Sequence, residues 1–111
     1  MVRNTPVARR TARGKPTRES GWTFLTNHAH VLLCVAREPE VVMRDVASRV
    51  GITERAVQRI IADLEKAGYI QKMRLGRQNR YKVRAKMPLR HAIERHRHVS
   101  ALIALVLGPD R

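Results

Sequence analysis

Apolar positions change their spacing several times along the chain, and each change marks an element. Trp22, Phe24 and Leu25 open the folded part. A first helix is predicted from Thr26 or Asn27, either of which can cap it, and Pro39 ends it. Val31, Leu32 and Val35 share its inner face at i, i+1, i+4. Val41-Val42 is a short β-prone pair. A second helix over about 44–50 carries Val46, Ala47 and Val50 inward, and Gly51 suits the left-handed position after it. Thr53 then caps a third helix that runs to about Ala67. Its Val57, Ile60, Ile61 and Leu64 fall at i, i+3, i+4, i+7, a full buried stripe, and Gly68 stops it. Two β-prone runs, 69–75 and 80–84, flank the polar turn Gly76-Arg77-Gln78-Asn79, which predicts a hairpin. After Pro88 a last helix is expected over 89–107, ended by Gly108-Pro109. The pattern is mainly α with one small β-hairpin.

The 111 residues allow one ordinary domain, without room for a second catalytic or sensing domain. Charge sharpens the picture. Lys and Arg number 23 against 9 acids, a formal net charge of +14, which points to a polyanionic partner. Part of that charge lies in residues 1–20, where Arg3, Arg9, Arg10, Arg13, Lys15 and Arg18 meet the single acid Glu19 and Pro6, Gly14 and Pro16 break any periodicity. Such a segment is expected to be a disordered basic tail, free to act as an arm on DNA or to stay solvated. The lone Cys34 lies in an apolar run and is expected to be a structural thiol in a reducing compartment. No apolar stretch approaches the roughly 20 residues a bilayer span needs, so no membrane partner and a cytoplasmic location are expected.

The segment Val46 to Ile60 carries the most specific motif. A small Ala47 sits four residues before Gly51, and Val57 and Ile60 follow six and nine residues after it. Two helices crossing through a short turn need a small residue at closest approach and a turn residue that tolerates positive φ. This unit resembles the helix-turn-helix of bacterial MarR- and ArsR-type winged-helix regulators. It is similar in particular to short actinobacterial members that read like Gly-Ile-Thr-Glu-Arg-Ala-Val-Gln-Arg, residues 51–59 here. Leu64-Glu65-Lys66-Ala67-Gly68-Tyr69-Ile70 resembles the exit into the wing of those families. The resemblance covers about residues 22–107. It divides the chain into a tail (1–20), a winged helix-turn-helix domain (21–86) and a C-terminal dimerisation helix (87–111).

On the third helix a step of about 100° per residue places Arg55, Gln58, Arg59, Ala62 and Lys66 away from the buried stripe. Arg55, Gln58 and Arg59 are the expected base readers, since Arg suits guanine O6/N7 and Gln suits adenine N6/N7. Thr53 caps this helix, whose first amides are free to hold a phosphate. Glu54 is expected to turn from the DNA backbone or to pair with an Arg. The resemblance implies that the hairpin is a wing that meets the minor groove or its phosphates through Arg74, Arg77, Gln78, Asn79 and Arg80.

The second half of the 89–107 segment is nearly all apolar, on more than one side. With Leu89, Ile93, Val99, Leu102, Ile103 and Val106 it is expected to form the interface of a homodimer, as the C-terminal helix commonly does in the families resembled. His91, Glu94 and His98 at i, i+3, i+7 would share one helix face, and some ArsR-type regulators hold metal between such helices. Here Arg95, His96 and Arg97 crowd that face with positive charge, so solvated or interface histidines are expected, with no metal and no cofactor. His28 and His30, two apart, do not face each other. No phosphate loop, nucleophile–base pair or partner constellation for Asp45 or Asp63 is present, which argues against an enzyme. The expected function is sequence-selective binding of double-stranded DNA by a homodimer that regulates transcription, with no small-molecule effector evident. The alternatives are a sequence-indifferent basic nucleic-acid module, architectural or RNA-associated, and a winged helix used for protein contacts.

Overall fold

The computed structural model describes residues 21–109, so the basic tail lies outside the described residues. Helix α1 spans Asn27–Arg37, α2 Met43–Val50 and α3 Glu54–Lys66, followed by strands β1 (Ile70–Leu75) and β2 (Gln78–Val83) and helix α4 (Val99–Leu107). Helix α1 begins where Thr26 accepts a hydrogen bond from the Ala29 amide at 3.2 Å, and α3 where Thr53 accepts one from Ala56 at 3.0 Å. Both are side-chain caps that satisfy an otherwise orphaned helical amide. Val41-Val42 forms no strand; Val41 is buried and Val42 is the N-cap of α2.

One core joins the elements. Val31, Leu32 and Val35 of α1 meet Val46 and Ala47 of α2 and the Val57, Ile60, Ile61, Leu64 stripe of α3. Ile70, Tyr81 and Val99 close the cluster from the hairpin and α4. Among the described residues no charged or amide side chain is buried, and the polar atoms of the buried core side chains are the hydroxyls of Tyr69 and Tyr81, so most of the core's gain comes from apolar burial.

The strands pair antiparallel from Ile70↔Val83 to Leu75↔Gln78, which leaves a two-residue turn, Gly76-Arg77. The expected four-residue turn is therefore corrected: Gln78 and Asn79 belong to β2. Gly76 has φ 61°, a conformation that a two-residue hairpin favours and a side chain resists.

The last helix is corrected too. It starts at Val99, not at Leu89. Residues 85–98 fold back on the domain instead, with Val99 N–H donating to Met87 O, Leu89 N–H to Arg97 O and Ser100 N–H to Ala85 O, each at 2.9 Å. The Tyr69 hydroxyl donates to Pro88 O. The physical reason is that Met87 and Leu89 pack on the core beside Val99 while their backbone pairs with 97–99, which a straight helix, holding Leu89 and Val99 about 15 Å apart, does not allow. His91, Glu94 and His98 accordingly do not share a helix face, and Ile93 stands 80 % exposed on the loop. Of the expected interface residues, Val99 is buried in its own core and Leu89 and Ile103 pack against that core.

Candidate DNA interface

The site is built on the turn between α2 and α3. Gly51 ends α2 with φ 86° and ψ 35°, and its N–H donates to Ala47 O at 2.8 Å. The Ile52 N–H donates to the same carbonyl at 3.1 Å. Two amides converging on one oxygen close the helix and reverse the chain, and Ala47, itself buried, leaves room for α3 to cross. Thr53 then starts α3 at once. The stripe Val57, Ile60, Ile61, Leu64 faces inward, so Arg55, Gln58 and Arg59 are left exposed on the helix's first two turns. Glu54 is exposed beside them and makes no ion pair among the described residues; at the helix's first position its charge favours the helix dipole.

The wing splits its cations between two faces, because cross-strand partners share a face and successive residues alternate. Lys72 pairs with Tyr81 and Arg74 with Asn79 on one face; Met73 pairs with Arg80 on the other. Arg74 folds toward the turn, its Nε donating to Gly76 O at 3.1 Å. Arg77 stands exposed in the turn itself, and Gln78 is exposed beside it. Asn79 is half-buried on the same face of the strand as Tyr81. Arg80 is not free at the tip: its guanidinium is bonded to the Glu40 carboxylate.

That contact was missed in the sequence, as was the junction it belongs to. Tyr81 N–H donates to Pro39 O at 2.9 Å, and Arg49 at the end of α2 bonds Glu38 at 3.2 Å. The segment Glu38-Pro39-Glu40 thus ties the wing and α2 together. Forty residues separate Glu40 from Arg80, and no local spacing rule links them. On the opposite side of α3, His28 Nε2 bonds Asp63 Oδ2 at 2.8 Å and links α1 to α3. His30 instead bonds Asn27 Oδ1 at 3.2 Å.

The arrangement has cations and amides on an exposed helix, a hairpin beside it and, among the described residues, no grouping of acid, base and nucleophile that shares a proton. A model of the MarR family matches residues 22–79, which takes in α1, both helices of the helix-turn-helix, β1, the turn of the wing and the start of β2. The chain belongs to the MarR family. MarR proteins are DNA-binding transcription regulators rather than enzymes, and the mainly helical fold with its two-stranded wing is that of a winged helix. No curated protein matches the chain. No helix among the described residues is long and apolar enough to cross a membrane.

Proposed function

We infer that this MarR-family chain binds double-stranded DNA sequence-selectively, as a homodimer, and so regulates transcription. The observation that carries the reading is the exposed face of α3. The Gly51 turn and the Thr53 cap present Arg55, Gln58 and Arg59 on the first two turns, the part of a recognition helix that meets base edges. Arg offers two parallel donors to guanine, and Gln offers a donor and an acceptor to adenine. Thr53 and the free amides beside it suit a phosphate. Arg74, Arg77 and Gln78 on the wing suit backbone contact, which positions the protein without reading sequence.

The test compares a duplex obtained by binding-site selection with a random duplex of equal length. Gln58→Ala and Arg59→Ala are each expected to cost roughly 1–3 kcal/mol on the selected duplex and much less on the random one. Equal losses on both duplexes would remove the base-reading role and leave a sequence-indifferent binder.

A further inference from the structure

Away from the wing and the first turns of α3, the segment joining β2 to α4 forms a second cationic surface. Arg84, Lys86, Arg90, Arg95 and Arg97 lie within fifteen residues of chain that hold one acid, Glu94. The segment is a closed loop. Its neck is held by the Leu89–Arg97 and Val99–Met87 backbone bonds, and by an isolated bridge between Pro88 and His98. Its tip is ordered internally, with Glu94 N–H donating to His91 O and Arg97 N–H to Glu94 O, both at 2.9 Å. The Glu94 carboxylate accepts from the His91 amide at 3.3 Å, so the only acid is engaged with the loop's own backbone. Arg90, Arg95 and Arg97 are exposed and make no ion pair among the described residues.

We propose that this loop is a second site for the DNA phosphate backbone, separate from the base-reading face of α3. Arginines held on an ordered loop present guanidinium groups to phosphate at little cost in ordering. On the loop itself a folded protein partner fits less well, since the cores of protein interfaces are poor in charge and rich in aromatics, and the loop's large exposed apolar side chain is Ile93; Phe24 and Leu102, which line the cleft beside Arg90, lie off the loop. Placement separates the two surfaces. Arg90 and Glu94 line a cleft with Asp63, Lys66 and Ala67, at the C-terminal end of α3. The base readers lie on the first two turns of this 13-residue helix, Arg59 about 6 Å and Arg55 about 12 Å along its axis from Asp63. The phosphates reached are either those of the flank of the bound duplex or those of a second duplex.

The proposal rests on the chain binding duplex DNA, and its test uses the triple variant Arg90→Gln/Arg95→Gln/Arg97→Gln. The neck bonds are backbone bonds, so the melting temperature is expected to stay as in wild type. A triple Arg→Lys variant controls for folding and keeps the charge. Three probes are compared across a salt series: a duplex of about 20 bp, enough for two half-sites one turn apart; the same site in a duplex of about 50 bp; and a labelled second duplex offered to protein already on an immobilised site. The variant is expected to bind the short duplex like wild type. If the flank is the target, its salt slope on the long duplex falls by about 1–3, one contact being worth about 0.9. If a second duplex is the target, capture of the labelled DNA falls several-fold. The lysine variant retains either property. Unchanged behaviour on the long duplex and in capture would overturn the proposal. So would an equal loss on the short duplex, which would place the loop in the recognition footprint, or binding of poly-glutamate that alone is lost in the variant. Failure of base reading is distinguishable, because it appears as equal wild-type affinity for selected and random short duplexes whatever the loop does.

Discussion

Arg77 and Arg80 look alike in the sequence, three residues apart in a basic hairpin, but only Arg77 is free. The Arg80 guanidinium already has the Glu40 carboxylate, and about half of each side chain is exposed, so the pair is worth little in stability. In DNA binding the difference should show. Arg77→Ala is expected to lower the salt slope by about 0.9, one lost phosphate contact, whereas Arg80→Ala should lower it by clearly less. Affinity measured across a salt series for both variants checks this, and equal slopes would mean that DNA draws Arg80 from Glu40. Two other side chains govern behaviour in alkali. Burial raises the Cys34 thiol above its ordinary 9.0, against the smaller lowering by Arg49 and Arg37. Burial likewise raises the Tyr81 hydroxyl above 10.0, against the smaller lowering by Asn79. Both groups therefore hold their protons longer in the folded chain than in the unfolded one. The stability they contribute is full below the unfolded values and is lost as pH rises through the folded ones. Thermal melts are expected to show a decline that begins near pH 9.0 and steepens above 10.0. Cys34→Ala should remove the first part and Tyr81→Phe the second; identical pH curves for all three proteins would contradict the assignment. A raised thiol is also a poor thiolate, which agrees with a structural rather than a redox-sensing Cys34.

Among the elements, the turn between α2 and α3 sets the geometry of recognition. A Cβ at position 51 would sit on a backbone at φ 86°, which costs an L-residue about 1–2 kcal/mol. Gly51→Ala is expected to lose that much in urea unfolding. Thr53→Ala, without the cap on Ala56, is expected to lose about 0.5–2 kcal/mol. A Thr53→Asn variant, which keeps a capping oxygen, should lose little, and its failure to do so would show that the cap is not the cause. These features were legible in the sequence because each is local. Caps, the glycine and the i, i+3, i+4, i+7 stripe of α3 act over a single turn of chain, and α1, α2 and α3 lie within a residue or so of their expected ends. What was not legible was decided at long range. The 89–98 segment has a helix-compatible spacing of Leu89 and Ile93, but the core takes Leu89 and Val99 together and closes the chain between them into a loop. Likewise Gln78 and Asn79 are good turn residues, yet the register from Ile70↔Val83 outward draws them into β2. The exposure of Arg55, Gln58 and Arg59 on α3 followed from helical period alone, whereas the Glu40–Arg80 tie depends on tertiary packing.

At the scale of the whole molecule, the exposed apolar side chains of the described residues include one group on and beside α4, apart from Val42, Met73, Leu75 and Ile93, which stand elsewhere. Leu105 is 78 % exposed on α4, with Val106 beside it nearly half exposed. Phe24 is 92 % exposed and stacks edge-on against Trp22, the ring centroids 5.0 Å apart. Leu102 and Phe24 line the same cleft, so α4 and the aromatic pair adjoin. A chain this size gains nothing by showing large aromatic and aliphatic side chains to water, and contiguous apolar patches of this kind mark interfaces. A second copy is the partner that fits the proposed regulator, since a two-fold axis sets two recognition helices on one duplex and matches an inverted repeat. The shorter α4 changes which residues would carry the proposed contact. Val99, Leu89 and Ile103 serve the chain's own core, and Ile93 stands on the basic loop, which leaves Leu102, Leu105 and Val106 with Phe24 for the partner. Sedimentation at micromolar concentration is expected to give twice the mass of one chain. Leu105→Asp, which puts a charge at the middle of that surface, should give a folded monomer that binds a half-site like wild type and loses affinity for the full inverted repeat. An Ile93→Asp variant should stay dimeric. Dimerisation lost through Ile93 and kept with Leu105→Asp would move the interface to the loop and contradict the assignment to α4.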